Sequence, residues 1–347
     1  MKYPLISIII ATYNSEKTLP KTLKSIKKQT YPQKKIEVLI VDGGSKDKTR
    51  LIAKKMGYKI IDNPEGGFIP GKNLGFIHAK SDYTMYLDSD EQLNNPDSIK
   101  IKIYAFASNR KIKAITTSGY KNPKNYPFIN RYINEFGDPF SFFIYRSTIN
   151  YQYFLKEMTR KYPVISENDK FTVFDFSKAK PLPLIELVAM GCMVDIKNLK
   201  KAFPQIGKIP SLIPHLFYLL TKNQDLIAIA KNDPITHYSA DTFGRYLKKI
   251  AWRVRNNIFN KKTIGEAGFE GRDKFQPTLY RLKKNLFIPY SFSLIFPLID
   301  SLYLVISRKD FVFFIHPFLC LYTSFLIIYY YILKIFNIKP VLKTYGT

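Results

Sequence analysis

Cysteine is nearly absent. The 347 residues hold two, Cys192 and Cys320, far apart and in very different surroundings. That excludes a disulfide scaffold and a cysteine-built zinc site, and it fits a reducing compartment. Acidic residues are also scarce: 27 Asp and Glu stand against 54 Lys and Arg, for a formal net charge of +27. An excess of this size asks for an anionic partner, which is a nucleotide, a nucleic acid or the phosphate face of a membrane. No internal repeat or low-complexity tract stands out. The apolar share of 46% is ample for a packed core and excludes a disordered chain. The length fits one large domain or two ordinary ones. No secretory leader is expected, because the apolar run at 5–11 (LISIIIA) is too short and lacks a cleavage site. It is β-branched and bounded by Pro4 and by Thr12-Tyr13-Asn14, which reads as a buried strand.

The first 120 residues alternate. Strands are expected at 5–11, 36–41, 59–61, 83–87 and 114–117, with helices near 19–29, 45–56, 72–79 and 97–108. Ser45 is the expected N-cap of the second helix and Gly57 its stop. Near-continuous apolar strands joined by helices predict an α/β fold with a parallel sheet covered on both faces. Ligands of such sheets bind at the carboxyl ends of the strands. Residues 121–240 are aromatic-rich, Pro-rich and poorly periodic. From 241 to 258, Phe243, Leu247, Ile250, Val254 and Ile258 recur at spacings of three and four, while Arg245, Lys248, Lys249 and Arg255 lie off that face. This is an amphipathic helix with a basic side, leading into a linker that ends near 285.

The segment 286–347 is different again. Residues 311–333 carry no charge apart from a possible proton on His316. As a helix they would be about 34 Å long, enough to cross a hydrocarbon core of about 30 Å. Residues 286–306 are nearly as apolar but contain Pro289, Pro297 and Asp300. The pair forms a transmembrane hairpin, or the first segment is re-entrant or interfacial; two buried helices of a soluble domain are the plain alternative. Lys283 and Lys284 before the pair, and Lys334, Lys339 and Lys343 after it, put both ends of a hairpin in the cytoplasm. Arg308 and Lys309 in the short loop weaken that signal.

Three polar clusters end predicted strands: Thr12-Tyr13-Asn14, Asp42-Gly43-Gly44-Ser45 and Asp88-Ser89-Asp90-Glu91. They should converge on one rim of the sheet. Asp88 and Asp90, one residue apart, can share Mg²⁺ or Mn²⁺ with a diphosphate, although an Asp-capped turn has the same look. Asp42 can accept from a base N–H or a ribose hydroxyl, with Gly43 and Gly44 allowing close backbone approach; a plain strand-to-helix turn is the alternative. Lys72 and Asn73 fall at a predicted helix start, where free N–H groups suit an anion; a solvated lysine is the alternative.

The stretches PLISIIIATYN, IEVLIVDGGSKDKT and GKNLGFIHAKSDYTMYLDSDE, in that order, resemble the family-two, GT-A-fold glycosyltransferases. The likeness covers roughly the first third of the chain. It departs mildly at Gly43, where a second aspartate is usual, and at Lys72, where arginine is usual. The resemblance implies a Rossmann-like, mostly parallel sheet and an inverting, metal-assisted sugar transfer. Its donor would be a nucleoside-diphosphate sugar, UDP- or GDP-linked, and its acceptor lipid-linked or a cell-surface glycan. It implies that Thr12 and Asn14 line the nucleotide pocket and that Asp42 holds base or ribose. Lys72 and Asn73 would lie near the donor, and Asp88 and Asp90 would hold ribose, metal and diphosphate. The family's acidic pair, expected near 214–216, is missing; His237 matches the later histidine of the pattern. His215 is then the candidate base, with Glu186, Asp138 and Asp175 as other acids a fold could bring close. The basic helix and its linker fit a membrane surface or a lipid phosphate. The expected setting is the cytoplasmic face of the cell membrane. Competing readings are a sugar-phosphate nucleotidyltransferase and a non-catalytic nucleotide-sugar-binding subunit. Nucleic-acid binding fits poorly, since Asp42, Asp88 and Asp90 would line the rim.

Overall fold

A computed structural model describes residues 3–260 and 268–341 of the chain. Lys343, and residues 261–267 of the expected linker, lie outside the described residues. Twelve strands are present among them: β1 Ile6–Thr12, β2 Ile36–Asp42, β3 Lys59–Asp62, β4 Tyr83–Tyr86, β5 Glu91–Leu93, β6 Ile112–Thr116, β7 Tyr120–Lys121, β8 Val164–Glu167, β9 Phe171–Phe174, β10 Cys192–Asp195, β11 Leu226–Ala230 and β12 Ile235–His237.

Nine strands form one sheet in the order β3-β2-β1-β4-β10-β6-β11-β9-β8. The first four are mutually parallel. β10 runs antiparallel between β4 and β6, β11 is parallel to β6, and β9 and β8 each reverse. Seven strands thus point one way, with β10 and β9 reversed. Ile8, Ile9 and Ile10 are all fully buried, so both faces of β1 are covered, as the unbroken apolar run requires. The sheet is continuous across residue 120: β10 is inserted between β4 and β6, and β11, β9 and β8 extend it beyond β6. A second, small sheet, β5-β12-β7, folds over the rim where β4 ends.

Two helices begin elsewhere than expected. The second starts at Thr49, because the Ser45 hydroxyl is turned back onto Asp42. The third starts at Phe68, four residues early, after Gly67 at φ 73°; Pro70 fits its first turn. Lys72 and Asn73 are therefore inside that helix, where their N–H groups are already spent. Gly75 lets this helix touch β1, since a Cβ there would sit 2.3 Å from Ile9 Cγ2.

The amphipathic helix is Phe243–Phe259, capped by the Thr242 hydroxyl accepting from Arg245 N at 3.2 Å. Helices Phe287–Phe292, Ile295–Arg308 and His316–Ile335 follow. One helical stretch, Phe311–Ile335, is long and apolar enough to cross a membrane. A second core joins Tyr132, Phe136, Tyr246 and Ile250 to Leu304, Phe313 and Leu319, so these last helices are packed onto the rest of the molecule.

Candidate active site

The carboxyl ends of β1, β2 and β4 open into one cleft of about 1850 Å³. Its walls include Thr12, Asn14, Lys72, Asp88 and Asp90, together with Asp138, Glu186 and Arg253. Asn14 takes a left-handed conformation (φ 48°), and its Oδ1 accepts from Lys46 N at 2.9 Å, bracing the first loop against the second.

Asp42 is fully buried and is absent from the cleft wall. Its oxygens accept from Thr12 Oγ1 (3.0 Å), Ser45 Oγ (2.5 Å), Ser45 N (3.0 Å) and an Arg50 nitrogen (3.1 Å). Burial works against its charge, but the donors from Ser45, Arg50 and Thr12 outweigh it and hold the carboxyl below its usual range. Asp42 was expected to meet base or ribose; in the structure its oxygens are spent on Thr12, Ser45 and Arg50, bracing the loop that follows β2. Asn73 also turns away, its Nδ2 reaching Gly207 O at 3.4 Å. Lys72 does reach the rim: its Nζ lies 2.7 Å from Asp88 Oδ1.

Asp90 lies beside His237, with Oδ2 3.7 Å from Nε2. Strand pairing explains this, because β12 runs antiparallel to β5 with His237 opposite Glu91. His237 Nδ1 lies 2.6 Å from Asn134 Oδ1, so that nitrogen carries the proton and Nε2 presents a lone pair to Asp90. Burial, then repulsion from Lys249, pushes the imidazole down to about 3, so it is neutral at pH 7. Two acceptors facing each other at this distance suit a cation between them. Among the described residues no three His, Cys, Asp or Glu side chains gather tightly enough to hold a metal alone. A Mg²⁺-like ion that takes most of its ligands from phosphate and water needs only one or two carboxylates, and Asp88 and Asp90 fit that role.

Glu91, which the sequence places only as part of the cluster, ties the site together. Fully buried, it accepts from Asp88 N (3.0 Å), Tyr120 OH (2.5 Å) and Met190 N (2.9 Å). Burial, then the Asp88 charge, pushes its carboxyl up to about 8.

His215 is misplaced for catalysis. It is fully buried, both ring nitrogens lack a hydrogen-bond partner, and it is not on the cleft wall. It packs 5.4 Å from the Phe275 ring, and burial, then Lys274 and Arg272, pushes it down to about 3. Asp175 is absent from the wall and accepts from Ser177 N at 2.8 Å. Asp138 is on the wall but engaged, capping a helix through Ser141 N (2.7 Å) and pairing with Arg253 (2.7 Å). Glu186 is half-exposed in the cleft and paired with Arg272. Burial raises it, but Arg272, then Lys72 and Arg253, hold it below the usual range. Asp88, Glu91 and Glu186 all favour the charge on Lys72, and Glu186 lines the same cleft as Asp88 and Asp90.

Residues 7–177 match the family described as glycosyl transferase family 2. Over 110 residues the chain is 36% identical to a 4,4'-diaponeurosporenoate glycosyltransferase of Staphylococcus haemolyticus, covering 29% of this chain and 28% of that protein. Over 96 residues it is 35% identical to the poly(ribitol-phosphate) beta-N-acetylglucosaminyltransferase TarS of Staphylococcus aureus, covering 25% and 16%. The chain thus matches less than a third of the length of either relative. Among solved structures, the mannosyltransferase PcManGT of Pyrobaculum calidifontis, in complex with GDP-Man and Mn²⁺, aligns with a TM-score of 0.53 at 12% identity. That alignment covers 97% of this chain and 88% of the other, and it shows a shared fold.

Proposed function

We propose, from the premise that residues 7–177 form a glycosyl transferase family 2 domain, that the chain is an inverting glycosyltransferase. It moves a sugar from a nucleoside-diphosphate sugar to a lipid-linked or cell-surface glycan acceptor, at the cytoplasmic face of the cell membrane. One observation carries the reading: a single cleft is lined by the Lys72–Asp88 pair, the Asp90–His237 pair and a charged, half-exposed Glu186.

Asp88 and Asp90, with Nε2 of His237 beside them, would hold Mg²⁺ or Mn²⁺, which when bound neutralises charge on the departing diphosphate. The Lys72 ammonium adds a fixed positive charge on the same side. Asn14 and the backbone of Gly43 line the nucleotide end. Glu186 takes over the role first given to His215. It accepts the proton of the acceptor hydroxyl while Arg272 fixes its position. The freed oxygen attacks the anomeric carbon from the face opposite the diphosphate. The bond from that carbon to the phosphate oxygen breaks, its electron pair leaves with the nucleoside diphosphate, and the configuration inverts.

Steady-state kinetics of Glu186→Gln test the assignment. Loss of a general base lowers kcat by about 10²- to 10⁴-fold, with the donor KM near the parent's. A parent-like kcat would remove Glu186 from the mechanism.

A further inference from the structure

Apolar exposure is concentrated at one end of the molecule. Of 32 exposed large apolar side chains among the described residues, 23 lie between Leu279 and Val341. Ile295, Phe296, Ile306, Phe311, Ile335 and Phe336 are each 60% exposed or more. Exposed Arg281, Lys309, Lys334 and Lys339 lie near the ends of these apolar segments in sequence, so cations accompany the greasy face. That combination matches a bilayer with anionic headgroups.

The question is whether these helices cross it. In a spanning hairpin the turn would lie about 30 Å from the domain that holds both ends. Here the turn is held on that domain. Arg308 bonds Glu135 at 2.7 Å and Glu157 at 2.6 Å, and Arg131 bonds Asp310 at 2.6 and 3.2 Å. Glu135 and Arg131 lie on helix Ile129–Phe136, and Glu157 on Phe154–Lys161. The start of the pair is held there as well, since Lys283 Nζ donates to Ile144 O at 3.0 Å.

Helix His316–Ile335 does not leave the domain either. His316 Nδ1 lies 2.6 Å from the Tyr132 hydroxyl. Tyr322 OH donates to Leu247 O (3.3 Å), and Lys334 Nζ to Ile258 O (3.5 Å). The helix therefore runs alongside Phe243–Phe259 for its full length. That neighbour carries Arg245, Lys248, Lys249, Arg253 and Arg255. If one entered the hydrocarbon core, the other would carry five cations with it, which is costly. The stretches 278–292 and 295–308 meet at a bend of 91°, so neither continues the other across a bilayer.

We infer that the C-terminal helices seat the enzyme in one leaflet, with the apolar face of 279–341 dipped into the acyl boundary and no segment crossing. This goes beyond the alternative that made only the first segment re-entrant or interfacial, since 311–333 is seated in the interface as well, and it stands apart from the catalytic assignment.

The test uses single cysteines in the full chain, whose Cys192 and Cys320 are buried. Lys28→Cys reports the catalytic domain, Lys309→Cys the turn, and Asn337→Cys the far end of the last helix. Right-side-out and inverted membrane vesicles are treated with a membrane-impermeant maleimide. All three positions should label from the same side. Labelling of Lys309→Cys or Asn337→Cys only from the side opposite Lys28→Cys would overturn the inference. The purified chain should also sediment with phosphatidylcholine–phosphatidylglycerol vesicles. Failure to bind them, or self-association that leaves no vesicle-bound fraction, would equally overturn it.

Discussion

His215 packs against the rings of Phe275 and Tyr218 with both nitrogens unpartnered, so it behaves as an apolar side chain. His215→Phe should leave kcat at the parent's value; a large loss with an unchanged melting temperature would return His215 to the mechanism. Asp42 is the opposite case, a buried carboxylate whose charge is wanted. Its carboxyl is held below the ordinary range in the fold, so its contribution is present above the unfolded-chain range and is lost as pH falls through the folded value. Asp42→Asn should cost about 1–3 kcal/mol at neutral pH. In denaturant titrations the gap to the parent should close in acid; a gap independent of pH would deny the role. Asp88 and Asp90 were legible because polar residues directly follow an apolar strand. Glu186 could only be named as one acid among several. Its place on the cleft wall comes just before β10, which enters between β4 and β6, and no local pattern in 121–240 announces that insertion.

Among the elements, the first half of the sheet was readable because strands buried on both faces must be apolar throughout. The starts of two helices were not, because side-chain bonds and backbone conformation, rather than periodicity, set them: Ser45 is spent on Asp42, and Gly67 turns the chain five residues before Lys72. That shift aims Lys72 at Asp88 and Asn73 at Gly207, although the two are adjacent in sequence. The same helix depends on Gly75. Gly75→Ala would drive a methyl into Ile9, and overpacking of this kind costs about 1–3 kcal/mol. A fall in the thermal midpoint checks it; an unchanged midpoint would mean that β1 and the helix separate freely. The pairing of β12 with β5 is equally hidden in the sequence, and it is what sets His237 beside Asp90.

Across the whole molecule, a rim bearing Asp88 and Asp90 sits in a strongly basic chain, and the apolar C-terminal helices are bolted to the same body. Arg308 is the principal bolt, since its partner Glu135 is almost fully buried. Arg308→Met would strand that carboxylate and should cost about 3–5 kcal/mol; a thermal midpoint equal to the parent's would show that the clamp does not hold. Hydropathy made the C-terminal segment visible in the sequence, but its attachment could not be read, because the partners Glu135 and Glu157 lie more than 150 positions away. The central claim is that the cleft binds a nucleoside-diphosphate sugar through Asp88 and Asp90 and releases the nucleotide. The most direct measurement is nucleoside-diphosphate release by detergent-purified protein from a panel of UDP- and GDP-linked donors. It is run with Mn²⁺, with Mg²⁺ and with chelator, beside Asp90→Asn. Metal-dependent release from a restricted set of donors, abolished in Asp90→Asn, is the expected result. Release that is indifferent to metal and to Asp90→Asn would contradict it, as would no release from any donor even with membrane lipid extract as acceptor.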